Sequence, residues 1–425
     1  MTRRSIFFSP SVVAVFVALG TAAFPRSAAA DGGLGYPLAT PVGIFGGIAY
    51  VQYDGTFAGQ TSTGAYRVPY RITAPANVSL ANRTVVVEPP HGTIALGALN
   101  VYLRRDFLFS RGFVHAGIGW STVGTRILDP SVPGTYIEGG FRQFGGNTDD
   151  EIIVDFARAL LVDPNAAVMV GPVLRRYLTG FSDSSDPVLR LVTSGRAAGV
   201  FDLALPFIAA KHQPQPALAA GLYGGKLIVV DSEYDSPAGL TDLGTVPNQY
   251  RFFVVAGTPH IPDPLDVLSP SNRSTPATYE PALRAHFLQG DRWVQHGLPP
   301  PPSTQLRTSK GNRLDRDANG NAISVDASGP VPRLPILELG EARFTSGFRG
   351  SYDGAQTIQE LGFANHREYL KAFADTVADY VKAGYMINED AIAMRNRAAL
   401  CPPLTFTVTY REHYEAFAAI VPCGD

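Results

Sequence analysis

The chain has 425 residues, of which 45% are hydrophobic and 17% are charged, and its formal net charge is −2. This composition is typical of a globular protein with a sizeable core and excludes a disordered chain. The charge is nearly balanced and no basic run or basic helix is present, so the sequence excludes nucleic acid as an expected partner.

Residues 1–30 have the pattern of a secretory signal peptide. Two arginines precede an apolar stretch, and small residues follow it at Ser27-Ala28-Ala29-Ala30, which predicts cleavage before Asp31. The alternative is an uncleaved membrane anchor, although the apolar run is short for a membrane span. No later run has the length of a membrane helix. We therefore expect a secreted or periplasmic mature chain without a membrane span.

Strand and helix signals alternate through most of the chain, which predicts an α/β fold with a mostly parallel sheet and helices on both faces. Continuous apolar runs such as Leu227-Ile228-Val229-Val230 are typical of strands that are buried on both faces. The eight predicted strands are 48–53, 66–72, 84–88, 113–118, 176–180, 200–205, 226–231 and 250–256. The predicted helices are 150–161, 186–196, 280–296 and 366–383.

The pattern changes after residue 260, and residues 297–335 are rich in Pro, Gly and Asn. We expect one domain over residues 31–425. Its core should span residues 45–262, and residues 263–425 should form a loop-rich cap or extension with a terminal helix.

The only two cysteines, Cys401 and Cys423, lie near the end of the chain. In an oxidising compartment they are expected to form a disulfide that fastens the tail. A closed loop of this size is worth about 3 kcal/mol in the chain-entropy model.

An apolar strand leads into Gly180-Phe181-Ser182-Asp183-Ser184, and a helical pattern follows. This arrangement is that of a nucleophile elbow, in which a sharp turn lifts the serine hydroxyl above the sheet. The strand and helix backbones approach closely there, and Gly180 supplies the small residue that the approach needs. Ser184 stands where glycine is common. The pattern also arises by chance, so a simple turn is the competing interpretation.

Two later segments favour the elbow. A serine nucleophile needs a base, and His260 follows the last predicted strand, where this fold delivers one. The base needs an orienting acid. The preceding strand is followed by Ser232-Glu233-Tyr234-Asp235. The chain order Ser182, Asp235, His260 is the order of α/β-hydrolases. We prefer Asp235 as the acid, Glu233 is the alternative, and Asp231 inside the strand is the least suitable.

An oxyanion hole needs two backbone N–H groups. Asp183 should supply one, because it follows the nucleophile. The second should come from Gly92 or Thr93, between which the sequence does not choose. Trp120 follows the fourth core strand and either forms a wall of the substrate pocket or packs as a core tryptophan.

Residues 315–321 read Asp-Arg-Asp-Ala-Asn-Gly-Asn and fit the start of a calcium loop. The twelfth position would be Asp326 in place of the usual bidentate glutamate, and no helix pattern flanks the segment. A hairpin turn at Asn319-Gly320 explains it better. We therefore expect neither a metal ion nor an organic cofactor.

Taken together, these segments resemble the secreted bacterial "alpha/beta hydrolase domain" family of esterase-like proteins. The resemblance rests on residues 178–184, 200–202, 232–235, 256–260, 292–294, 297–303, 320–322 and 390–391. The later segments are more distinctive than the elbow. One departure is Ser185, where the family usually has glycine, which changes the helix packing behind the nucleophile. The resemblance implies an α/β-hydrolase fold and a serine hydrolase, but no particular substrate.

The sequence therefore predicts a serine esterase that cleaves a small-molecule or polymer ester through an acyl-enzyme. One alternative is an amidase or lactonase that uses the same three residues. Another is a non-catalytic binding protein on a hydrolase scaffold, because fold alone does not fix function. The substrate and the oligomeric state stay open.

Overall fold

A computed structural model describes residues 33–62, 64–90, 103, 105–120, 127–128, 136–137, 150–209, 213–236, 242–262, 275–309 and 313–400. The predicted signal peptide, Gly92, Thr93, Cys401 and Cys423 lie outside the described residues. Within those ranges, no helix is both long enough and apolar enough to traverse a bilayer.

The central element is a 10-stranded sheet. In order across the sheet, its strands are Gly33–Leu34, Ile48–Thr61, Gly64–Pro75, Val114–Ile118, Thr84–Glu88, Arg175–Phe181, Leu203–Phe207, Lys226–Ser232 and Tyr250–Val255, with Leu38–Phe45 paired to Ile48–Thr61 off this path. The strands from Val114–Ile118 to Tyr250–Val255 are parallel to one another. The four strands before them in the chain join antiparallel, so the sheet is mixed.

The α-helices of the described chain are Arg105–Phe109, Asp150–Val162, Pro164–Val170, Ser185–Thr193, Gln215–Ala219, Glu280–His296, Pro335–Glu338, His366–Lys382 and Asn388–Leu400. Short 3-10 helices lie at Val78–Leu80 and Ser182–Ser184. Three small two-stranded antiparallel sheets pair Ile127–Leu128 with Tyr136–Ile137, Thr308–Ser309 with Arg313–Leu314, and Arg343–Thr345 with Ser351–Asp353. In a small three-stranded sheet, Ser324–Asp326 pairs with both Gln305–Leu306 and Gly329–Pro330.

The prediction of a mostly parallel α/β sheet is confirmed, and each of the eight predicted strands overlaps a strand of it, although residues 200–202 precede the strand Leu203–Phe207. The strands Gly33–Leu34 and Leu38–Phe45 were not predicted. Leu38–Phe45 contains a proline and a glycine, is largely exposed, and shows a register irregularity between Pro41 and Gly43. It therefore lacks the alternation of apolar and polar residues that marks a half-buried strand. Its pairing with Ile48–Thr61 holds it in place.

The parallel strands form the centre of the core. Every residue of Thr84–Glu88, Val114–Ile118 and Leu203–Phe207 is buried. Successive side chains of a strand point to opposite faces, so both faces of these strands are covered. The helix Glu280–His296, which falls within the predicted extension, packs directly on the sheet. A Cβ atom on Gly290 would lie 2.8 Å from the Leu203 side chain and 3.1 Å from that of Ile228.

Three of the parallel strands end at the same edge of the sheet, which is where α/β proteins place their sites. Arg175–Phe181 ends immediately before Ser182, Lys226–Ser232 ends shortly before Asp235, and Tyr250–Val255 ends shortly before His260. The topology alone therefore brings these three side chains to one edge.

Candidate active site

The strand Arg175–Phe181 passes into a helix through a turn of unusual backbone geometry. Ser182 has φ +50°, a left-handed backbone conformation that residues other than glycine rarely adopt. Such a residue typically costs about 1–3 kcal/mol and persists only where its surroundings enforce it. A Cβ atom on Gly180 would lie 2.3 Å from the Ser184 carbonyl oxygen. The close approach of strand and helix therefore requires the glycine.

The two serines after the nucleophile position stabilise this turn. The Ser184 hydroxyl is buried, accepts a hydrogen bond from the Phe181 N–H at 3.0 Å and donates to the Phe181 carbonyl at 3.1 Å. The Ser185 hydroxyl donates to the Ser182 carbonyl. Both departures from the more common glycines thus add hydrogen bonds that hold Ser182 in its left-handed conformation.

Ser182, His260 and Asp235 form a continuous hydrogen-bonded chain. Ser182 Oγ lies 2.8 Å from His260 Nε2, and His260 Nδ1 lies 2.9 Å from Asp235 Oδ1. A carboxylate beside Nδ1 favours the tautomer that carries its proton there, which leaves Nε2 free to accept the serine proton. The side chains of His260 and Asp235 are only 14% and 10% exposed, so the pair is largely shielded from water.

Asp235 is itself fixed by the end of its strand. The Ser232 hydroxyl donates to Asp235 Oδ2 at 2.6 Å, and the Asp235 N–H donates to the same hydroxyl oxygen at 3.2 Å. This turn leaves Oδ1 directed at the imidazole.

The structure places the other two acids differently. Glu233 is buried and accepts hydrogen bonds from the Gly257 N–H, from Arg316 and from Ser346. Asp231 is buried inside its strand. Burial raises the pKa of Asp231 well above its ordinary value, and the nearby Asp235 carboxylate raises it further. Asp235 is therefore the acid that the structure brings to His260.

The backbone and ring of His260 contact segments far along the chain. Its N–H donates to the Gly347 carbonyl at 3.1 Å, and its carbonyl accepts from the Tyr279 hydroxyl at 3.1 Å. The Phe348 ring stacks on the imidazole, with centroids 4.9 Å apart and planes inclined by 15°. The Tyr234 ring meets the imidazole edge-on at 6.2 Å. Phe348 and Tyr234 are 51% and 45% exposed, so they border the site toward solvent.

These contacts of His260 were not anticipated from sequence. Tyr279, Gly347 and Phe348 lie in segments without a motif, and their role depends on pairing over long sequence separations. An aromatic residue, Phe348, within a Gly- and Ser-rich segment is the one sequence signal that could have pointed to these contacts.

The expected oxyanion donors are only partly described. Asp183 follows Ser182 in the 3-10 helix Ser182–Ser184, while Gly92 and Thr93 lie outside the described residues. Trp120 has no exposed surface, and its indole N–H donates to the Pro90 carbonyl at 3.2 Å. The indole thus packs in the core against Pro90, which precedes Gly92 and Thr93 in the chain.

The turn at residues 315–321 uses its carboxylates within the protein. Asp315 pairs with Arg307 at 2.9 Å, and Asp317 pairs with Arg333 at 2.8 Å. The second oxygen of Asp317 accepts the N–H groups of Asn319 and Asn321, each at 2.9 Å. Across the described ranges, no group of three or more His, Cys, Asp or Glu side chains is placed to hold a metal ion.

Several solved structures are similar to part of the chain. An S-formylglutathione hydrolase from Agrobacterium tumefaciens is 12% identical, with 52% of this chain and 91% of that chain covered and a TM-score of 0.32. An esterase from Rhizomucor miehei is 9% identical, with 48% and 74% covered and a TM-score of 0.30. An esterase from Pyrobaculum calidifontis is 12% identical, with 48% and 74% covered and a TM-score of 0.30.

The comparison with curated proteins found no match. The family model described as "Alpha/beta hydrolase domain" matches residues 49–396, which is most of the chain and includes Ser182, Asp235 and His260. The chain therefore belongs to the alpha/beta hydrolase domain family.

Proposed function

We propose that the protein is a serine hydrolase that cleaves carboxylic esters, with Ser182 as nucleophile, His260 as general base and Asp235 as the acid that orients the imidazole. The observation that carries this proposal is the continuous chain from Ser182 Oγ through both ring nitrogens of His260 to Asp235, at 2.8 and 2.9 Å. The left-handed backbone of Ser182 supports it, because it is the conformation of a nucleophile elbow.

The reaction follows from this geometry in two halves. Ser182 Oγ attacks the ester carbonyl carbon while its proton passes to His260 Nε2, and His260 then protonates the departing alkoxide as the C–O bond breaks. The products of the first half are an alcohol and an acyl ester on Ser182. In the second half, a water molecule gives a proton to His260 and attacks the acyl carbon. The acid is released, and Ser182 recovers its proton.

Charge on the carbonyl oxygen must be stabilised in both tetrahedral intermediates. The Asp183 N–H and an N–H from Gly92 or Thr93 are the proposed donors. Losing one such donor lowers kcat by about 100- to 1000-fold in a well-studied serine hydrolase.

The test begins with a fluorophosphonate probe and p-nitrophenyl esters of increasing acyl length. Ser182→Ala should abolish labelling and lower kcat by about four to six orders of magnitude, because the nucleophile is lost. The circular dichroism spectrum should be unchanged. A Ser182→Ala protein that keeps near wild-type turnover would overturn the proposal.

The same screen separates the alternatives. A lactone and an anilide of matched acyl chain are added to the esters. Preference for either would identify a lactonase or an amidase that uses the same residues. A wild-type protein that neither turns over any of these compounds nor reacts with the probe would instead be a binding protein on this scaffold.

Export is part of the proposal because of the signal pattern at residues 1–30. The mature protein should begin at Asp31 and be recovered from the periplasm or the medium. N-terminal sequencing of the purified protein checks this.

A further inference from the structure

Glu233 is a buried carboxylate that binds three separate segments of the chain. One oxygen accepts the Gly257 N–H at 2.7 Å, and the other accepts Arg316 at 2.9 Å and the Ser346 hydroxyl at 3.1 Å. Its side chain has no exposed surface. A carboxylate in such a place must be paired and fully hydrogen-bonded, because leaving it unpaired is strongly destabilising.

Two of these contacts lead to the two sides of His260. Gly257 begins the turn that ends at His260 and has φ +75°. Ser346 precedes Gly347 and Phe348, whose carbonyls accept the N–H groups of His260 and Ile261 at 3.1 and 2.8 Å. Glu233 therefore joins the turn that carries the imidazole to the segment that packs against it.

The third contact of Glu233, with Arg316, gives the turn at residues 315–321 a structural role. With Asp315 and Asp317 held by Arg307 and Arg333, Arg316 lies between two fixed residues, and its guanidinium reaches Glu233. Arg316 also donates to the Gly320 carbonyl at 3.1 Å, which holds it across its own turn. The acidic residues of this segment thus position an arginine, and the arginine supplies the charge that the buried carboxylate needs.

We propose that Glu233 and Arg316 are positioning residues, through which the region after residue 262 holds His260 at hydrogen-bonding distance from Ser182 and Asp235. Neither residue belongs to the hydrogen-bonded chain itself. The inference rests on the proposed function for its kinetic consequences, while its structural content is independent of turnover. A small displacement of a catalytic group is enough to lower a rate by about 100-fold.

The first experiment measures p-nitrophenyl acetate hydrolysis by full-length Glu233→Gln, Arg316→Ala and the double variant. Each single change should lower kcat about 10- to 100-fold and leave KM near the wild-type value. The double variant should be no slower than the slower single variant, because both changes break one link. Arg316→Lys keeps the charge and should recover part of the loss.

Arg158→Ala is the matched control. It removes an exposed arginine–aspartate pair on the helix Asp150–Val162 and leaves Arg316, Glu233 and the turn at residues 315–321 in place. Its kcat should stay near that of the wild type. Glu233→Gln risks misfolding because the site is buried, whereas the Arg316 side chain is 39% exposed, so Arg316→Ala keeps the test decisive.

The second experiment measures, without any substrate, how the contact between Arg316 and Glu233 affects the turn that carries His260. Hydrogen–deuterium exchange at the amides of Gly257, His260 and Ile261 should speed up in Arg316→Ala and stay unchanged in Arg158→Ala. Unchanged exchange in Arg316→Ala, or equal loss of kcat in Arg158→Ala, would overturn the inference. Failure of the proposed function looks different: exchange would still speed up, but Ser182→Ala would keep turnover.

Discussion

The two ring nitrogens of His260 have partners of different chemistry, a carboxylate at Nδ1 and a hydroxyl at Nε2. The carboxylate fixes the tautomer, so Asp235→Asn should favour the wrong one. We expect kcat to fall by about 10⁴-fold, as in a well-studied triad, with the fold retained. Steady-state kinetics on a p-nitrophenyl ester measures this.

Glu233→Gln is the comparison for that change. It should be less damaging than Asp235→Asn, because Glu233 bonds to Gly257, Arg316 and Ser346. If Glu233→Gln proves the more harmful of the two, the roles of the two acids have to be exchanged.

Gly180 allows a second prediction at this scale. Gly180→Ala places a methyl group 2.3 Å from the Ser184 carbonyl oxygen, so strand and helix must move apart. We expect a loss of about 1–3 kcal/mol of unfolding free energy and slower fluorophosphonate labelling. Gly224→Ala is the control, since its Cβ meets nothing within 4 Å. Equal effects in both variants would show that the elbow tolerates the side chain.

The residues of the candidate site that follow strand ends could be predicted from the sequence, because the spacing of Ser182, Asp235 and His260 from their strands depends on local pattern. The sequence did not indicate how Glu233 is used. A glutamate after a strand is compatible with several roles, and only the partners brought in from residues 316 and 346 distinguish them. Those contacts depend on tertiary packing, which no local pattern encodes.

The secondary-structure elements also differ in how far the sequence predicts them. The long buried strands were predicted because continuous apolar runs bounded by turns are strong signals. The strands of two or three residues between 305 and 353 were not, and residues 297–335 were expected to be largely irregular. A strand of that length has no periodicity of its own, and its existence depends on a partner elsewhere in the chain.

The turn at residues 315–321 carries a prediction of its own. Its carboxylates are already paired with Arg307 and Arg333, so calcium would have to displace arginines. EDTA should leave hydrolysis unchanged, and added calcium should not shift the Tm. A calcium-dependent rise of several degrees would show that the turn is an ion site after all.

Buried His286 makes the free energy of unfolding of the whole molecule depend on pH. His286 is fully buried, stacks on Phe253 with ring centroids 3.5 Å apart and bonds Gln289 at 2.8 Å. Burial lowers the pKa of His286 from 6.5 to about 4. Between these values the unfolded chain binds a proton that the folded chain does not, so stability falls as the pH falls. The loss over this range is about 3 kcal/mol.

His286→Phe should remove this part of the slope, since it keeps an aromatic ring but cannot titrate. Urea unfolding at pH 4.5 and pH 7 measures the difference. Leu298→Ala, an exposed change just beyond the same helix that removes no titratable group, should leave the slope as it is. An unchanged slope in His286→Phe would refute the assignment.

Cys401 and Cys423 are predicted to form a disulfide after export, because they are the only cysteines and bracket a short tail. Mass spectrometry of unreduced peptides should show them linked, and two free thiols would contradict the prediction. Replacing both by serine should lower the Tm and leave kcat largely unchanged, since neither residue belongs to the proposed site.

The contacts of His260 with Gly347 and Phe348 also bear on how the chain is made. Ser182, Asp235 and His260 leave the ribosome before the residues that hold the imidazole from behind. A nascent chain that has reached residue 262 contains the three side chains without the support that aligns them. We therefore expect the proposed activity to be switched on late in synthesis, after the segment around residue 348 has emerged and docked. Until then, the serine should be unreactive toward the esters of the cell that makes it.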